Sequence, residues 1–168
     1  MAQPRIFISS TCYDLQEIRF QLRSFIEDFG FIPVMSEFGD IFFDYQKHIQ
    51  DSCKDEIEKS QLFILIVGNN YGSIFYKQKD LVSLPDSVTM QEYRKAIETD
   101  IYKHIFVNKF VDYDYKNYQK SLNKFITSHL EKNEIEESQI EDTVITLKSD
   151  FNKLILSLRI HISMYSTF

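Results

Sequence analysis

Three hydroxyl residues and one glutamate carry the types and spacing in this chain that could do chemistry. Ser9, Ser10 and Thr11 close a short apolar run, and Asp14 follows as an amphipathic pattern begins. Hydroxyls at a strand-to-helix junction sit where backbone N–H groups are unpaired and the helix dipole is positive, a place suited to an anion or to the hydroxyls of a ribose. Glu92 stands at the start of another amphipathic segment, three residues after Thr89. A glutamate in the first turn of a helix beside a sugar site can attack a glycosidic carbon or stabilise an oxocarbenium-like transition state. Both features have a plainer reading, because Thr11 with Asp14 and Thr89 with Glu92 are spaced as capping boxes, which need no ligand.

The elements that must position these residues alternate along the chain. Residues 5–9 are short, apolar and rich in β-branched or aromatic side chains, the mark of a buried strand. Leu15, Ile18, Leu22, Phe25 and Phe29 then recur at three-four spacing on one helical face, with Gly30 as the C′ residue. Residues 31–35 form a second apolar run, followed by an acidic and aromatic loop over 36–44 that contains Glu37. Ile49, Cys53 and Ile57 mark a helix over about 45–60, and Leu62–Val67 is apolar on both alternating faces, as the central strand of a covered parallel sheet must be. A helix near Thr89 and a strand over 104–110 complete the alternation. The pattern predicts an α/β, flavodoxin-like doubly wound sheet with strand order 2-1-3-4 or 2-1-3-4-5 and right-handed crossovers. Ligands of such sheets bind at the carboxyl ends of the strands where the order reverses, which brings residues 9–11 toward the segment 68–88 with Tyr71 and Gly72. That segment exceeds the roughly two to six residues usual for such a connection, so it reads as a lid or as a surface excursion.

Composition narrows the classes. The chain has 168 residues, 43% of them hydrophobic, with ten tyrosines and fifteen phenylalanines, enough for one domain with a substantial core. A net charge of -6 and the lack of any basic run argue against nucleic acid as the main partner. Cys12 and Cys53 have no metal-ligand spacing to each other or to His48, His104, His129 and His161, from which we expect no metal site and a reducing, cytoplasmic compartment. No signal-peptide pattern opens the sequence and the longest apolar run is Leu62–Val67, so no membrane span is expected. In the last third, Ile140, Val144, Leu147, Phe151, Leu154 and Leu158 form a nearly heptad seam widened by Ile155 and Ile162, after a helix over about 115–132. We therefore divide the chain into an α/β domain, 1–112, and a helical extension, 113–168, packed on the same domain; the alternative for the seam is a helical dimer interface.

Arg5-Ile-Phe-Ile-Ser-Ser-Thr with Asp14-Leu-x-x-x-Arg19, Ser60-Gln-Leu-Phe-Ile-Leu-Ile-Val-Gly-Asn-Asn-Tyr-Gly72, and Ser87-Val-Thr-Met-Gln-Glu-Tyr93 together resemble an uncharacterised family, domain of unknown function 4062. The resemblance covers about residues 5–110, and the family is similar to Toll/interleukin-1 receptor (TIR) domains. It implies a flavodoxin-like sheet, a role in immune or anti-phage defence or signalling, and, by the enzymatic TIR branch, cleavage of the nicotinamide–ribose bond of NAD. NAD would then be a substrate, with no resident cofactor. Glu92 matches the essential glutamate of that branch. Residues 36–44, with Glu37, correspond to the loop through which TIR domains associate and close over substrate. Ser9, Ser10, Thr11, Asp14, Tyr71 and Gly72 complete the implied nucleotide-binding set. The chain departs from the TIR pattern in having no tryptophan before the glutamate, where Met90 and Gln91 stand, so stacking would fall to Tyr71, Phe75 or Tyr76. Nucleoside deoxyribosyltransferases also place a glutamate nucleophile on a related sheet, which leaves the base and sugar open. TIR-like enzymes work as assemblies, implying a homo-oligomer and a fused or separate sensor domain. The alternative is a non-catalytic module that signals by self-association, with Glu92 as a helix cap; fold alone does not choose.

Overall fold

A computed structural model describes residues 3–42, 45–75, 86–132 and 139–157. Its elements are β1 (Arg5–Ser10), α1 (Gln16–Asp28), β2 (Ile32–Val34), a 3-10 turn (Ser36–Phe38), α2 (Ile49–Glu58), β3 (Leu62–Val67), α3 (Val88–Glu98), β4 (Tyr102–Val107), α4 (Lys109–Lys132) and α5 (Ile140–Ser157). The chain divides into two compact units, Met1–Asn108 and Lys109–Phe168. No helix among the described residues is long and apolar enough to cross a membrane.

The first unit holds a four-stranded parallel sheet in the order β2-β1-β3-β4, a flavodoxin-like arrangement with the shorter of the two strand orders. Register is set by β1 against β3, with Phe7 beside Phe63 and Ser9 beside Leu65. The pleat sorts these strands into two faces. Ile6, Ile8 and Ile64 pack with Ile26 of α1 and Met35, and Leu22, Leu62 and Ile66 lie against that cluster. On the other face Phe7 and Phe63 stack, their ring centroids 5.9 Å apart.

Helix α1 buries a different stripe from the one its hydrophobicity suggests. Leu15, Arg19 and Ile26 are buried, whereas Ile18, Phe25 and Phe29 are 50%, 59% and 65% exposed. The stripe facing the sheet thus runs through an arginine, and Phe25 and Phe29 meet each other on the outside with ring centroids 4.7 Å apart. The C-terminus of α1 follows expectation. Gly30 adopts φ +75, and the Gly30 and Phe31 N–H groups donate to the Glu27 and Ile26 carbonyls at 2.9 and 3.1 Å, a Schellman closure.

Element boundaries shift where caps outweigh periodicity. Helix α2 begins at Ile49, not near residue 45, with His48 as N-cap accepting from the Gln50 N–H. Strand β4 pairs with β3 from Leu62 opposite Tyr102 to Val67 opposite Val107, so it starts and stops before the expected 104–110. Helix α4 begins at Lys109, earlier than 115.

In the second unit α4 and α5 pack against each other, burying Ile126 and Leu147. Of the expected seam, the side chains of Phe151, Leu154 and Ile155 and the whole of Leu158 and Ile162 lie outside the described residues.

Candidate active site

The end of β1 distributes its side chains by strand period. Successive residues point to opposite faces, so Ser9 turns toward α3 and Ser10 toward α1. The Ser10 hydroxyl accepts from Arg19 Nη1 at 2.7 Å and donates to the Thr11 carbonyl at 3.0 Å. Arg19 is only 2% exposed. An arginine is stable there only when its charge and donors are matched. Glu37, just beyond β2, supplies the match: Arg19 Nε donates to Oε1 and Nη2 donates to Oε2 at 2.6 Å, a bidentate pair. The Arg19 bond and charge outweigh partial burial and hold the Glu37 carboxyl below its ordinary value. Arg23, one turn further along α1, pairs with Asp40, which also accepts from the Met35 N–H at 3.1 Å. Two arginines of one helix therefore fasten the loop after β2 to α1.

Glu92 reaches the same region from the other face. Helix α3 starts at Val88 with Ser87 as N-cap, whose side chain accepts from the Met90 N–H at 3.2 Å. Thr89 therefore lies inside the first turn, and the capping box between Thr89 and Glu92 does not form. Glu92 is instead buried, 7% exposed, and its Oε2 accepts from the Ser9 hydroxyl at 2.6 Å. Burial pushes its carboxyl up from 4.5 to about 7, against the pull of Ser9, Arg19 and the Cys53 thiol, which also bonds it. Burial, followed by the charge of Glu92, drives the Cys53 thiol upward. The other suspected capping box is also displaced: the Thr11 hydroxyl donates to Asp14, but α1 begins only at Gln16, with Leu15 as its N-cap.

These residues border an open cleft of about 1200 Å³ at the carboxyl ends of β1 and β3, where the strand order reverses. Ser10, Asp14, Glu37, Gly72 and Glu92 line it. Ser9 and Thr11 support it through Glu92 and Asp14. Gly72 brings the loop after β3 against the loop after β1. It adopts φ +87, and a Cβ there would lie 3.0 Å from Thr11 Cγ2. Tyr71 braces α3, its hydroxyl accepting from the Ser87 N–H at 3.2 Å, and Phe75 is buried beneath Lys54. Neither ring lines the cleft, and Tyr76 lies outside the described residues, as do residues 77–85 of the expected lid. The rings that line it are Phe7, which is buried, and Tyr13, Phe20 and Phe38, which are exposed.

Residue types alone did not reveal Arg19 or Cys53 as part of this site. The one signal for Arg19 was its place four residues after Leu15 and three before Leu22, within a path the sheet could cover. The resulting site combines an ionised carboxylate, a buried guanidinium and a second carboxyl poised to exist in either form near neutral pH. Two carboxyls pushed apart in one cleft are the usual basis for dividing roles between them. Among the described residues no group of three His, Cys, Asp or Glu side chains could hold a metal ion.

Residues 5–153 match the family described as Domain of unknown function (DUF4062), and the chain belongs to it. Comparison with curated proteins and with solved structures gave no match.

Proposed function

We propose that this member of the DUF4062 family cleaves the N-glycosidic bond of a nucleotide or nucleoside, with NAD as the first candidate and Glu92 as the acting carboxylate. The observation that carries this reading is the Glu92 carboxyl, buried, bonded to Ser9, shifted to about 7 and bordering the switch-point cleft. In the reaction the bond from ribose C1′ to the base nitrogen breaks and its electron pair leaves with the base. Nicotinamide departs neutral from its cationic form and requires no proton; the base of an uncharged nucleoside leaves as an anion and takes one from solvent. Glu92, as carboxylate, stabilises the positive charge at C1′ or adds to it as an ester, and water completes the hydrolysis, its surplus proton passing to solvent. Tyr13 and Phe38, which line the cleft, would stack on the base, the task expected of Tyr71, Phe75 or Tyr76.

The resemblance to TIR domains supports a cytoplasmic role in defence or signalling, with activity completed by assembly of several copies. A second reading, a non-catalytic module that self-associates, draws on the exposed Phe25 and Phe29 of α1. The test is base release, followed by chromatography, from NAD, NADP and a nucleoside panel at low and high protein concentration. Release by the parent chain that disappears in Glu92→Gln is the expected result. Absence of release from every substrate at every concentration would favour the interaction module.

A further inference from the structure

The sequence nominated Ser9, Ser10 and Thr11 to hold the sugar, but their hydroxyls are turned to internal partners. Ser9 donates to Glu92, Ser10 to the Thr11 carbonyl, and Thr11 to Asp14. Ser9 and Thr11 do not line the cleft and the Ser10 oxygen already accepts from Arg19, so hydroxyls of a ribose entering it find their acceptors elsewhere. We infer that Glu37 reads the sugar: its carboxylate, fixed by Arg19, accepts the 2′ and 3′ hydroxyls of the ribose being cleaved and makes the cleft selective for ribosyl over 2′-deoxyribosyl substrates. The inference rests on the glycoside-cleaving reading and narrows its substrate class.

Four observations converge on Glu37. It lines the same cleft as Glu92. Its carboxylate accepts from Arg19 on each oxygen and, over a long 3.4 Å, from the Ser36 hydroxyl on Oε2; with about four acceptor sites on a carboxylate, a diol can use a further site and displace the weakly held Ser36 hydroxyl from the other. Its side chain is 29% exposed, unlike that of Arg19, so those sites are reachable. It also directly follows β2, at the carboxyl edge of the sheet where ligands of this fold bind. Arg19 keeps Glu37 charged and oriented before substrate arrives, which lowers the cost of ordering it on binding. A bond to the 2′-hydroxyl strengthens as positive charge develops on the sugar, so Glu37 acts on kcat as well as on KM. Asp14 and Glu17 are the competing acceptors, engaged by Thr11 and Gln21, and neither is fixed by an arginine among the described residues.

The test compares kcat/KM for matched pairs, NAD against its nicotinamide-side 2′-deoxy analogue and inosine against 2′-deoxyinosine, in the parent, Glu37→Gln and Asp14→Asn. The glutamine oxygen still accepts from Arg19, and the Arg23–Asp40 pair still fastens the loop. Glu37→Gln should lower the ribosyl preference at least about tenfold by slowing ribosyl substrates alone, whereas Asp14→Asn should leave it unchanged. Equal slowing of both members of each pair, or a preference that follows Asp14→Asn, overturns the inference. Binding separates its failure from that of the reaction. Calorimetry of ADP-ribose and its analogue lacking the 2′-hydroxyl of the terminal ribose, on Glu92→Gln with and without Glu37→Gln, should show a preference lost only in the double variant. Equal affinities would overturn the diol assignment even where the parent releases base.

Discussion

Replacing Glu92 by glutamine should make the protein more stable at alkaline pH, because a buried carboxylate is a burden on the fold. The group titrates at 4.5 when unfolded and at about 7 when folded, with burial as the leading cause. The folded state therefore binds more protons between these values, and stability falls as pH rises from about 4.5 to 7. Below that window both states carry the neutral acid and no penalty remains. Above it the carboxylate is ionised in both states, and the penalty levels off at ~3 kcal/mol, from about 1.4 kcal/mol for each pH unit separating the two pKa values. Glutamine is neutral throughout and its oxygen can still accept from Ser9. At pH 8.5 the variant should therefore be stabilised by up to ~3 kcal/mol, and at pH 4 it should equal the parent within about 0.5 kcal/mol. Urea denaturation followed by circular dichroism measures both, since the chain has no tryptophan to report by fluorescence. A loss of stability in Glu92→Gln at pH 8.5, or the same change at every pH, would refute the reasoning. A helix-capping role predicts the loss of stability at pH 8.5.

Ser9→Ala removes a donor that holds the Glu92 carboxyl down, so the pH at which base release reaches half its plateau should move upward, as a pH–rate profile would record. Arg19→Met leaves the partly exposed Glu37 carboxylate without its partner and should cost roughly 1–3 kcal/mol in a denaturant titration. Gly72→Ala combines a positive φ with a Cβ 3.0 Å from Thr11 Cγ2, so it should destabilise by more than ~1 kcal/mol in thermal melts and loosen the wall of the cleft.

The sheet was legible because its signals are local. Leu62–Val67 is apolar on both faces, and a strand of that kind lies at the centre of a covered parallel sheet. The order of strands, together with the rule for switch points, brought the loops after β1 and β3 together, and Gly72 does rest against Thr11. The buried face of α1 was not legible, since hydrophobicity favours Ile18, Phe25 and Phe29 over a stripe containing Arg19. What stabilises that arginine is Glu37, eighteen residues away and on another element. The two capping boxes misled for a related reason. Spacing shows that a cap is possible, but Ser87 and Leu15 occupy the N-cap positions, leaving Glu92 to be drawn inward by Ser9. Long-range partners, invisible to periodicity, thus decided which polar residues belong to the site.

The central claim is that Glu92 acts on a glycosidic carbon, and base release from NAD and nucleosides by the parent chain beside a folded Glu92→Gln tests it most directly. Free base should form with the parent, increasing as pH passes through about 7, and not with the variant. Equal release by both chains, or none from either when concentrated enough to assemble, would contradict it.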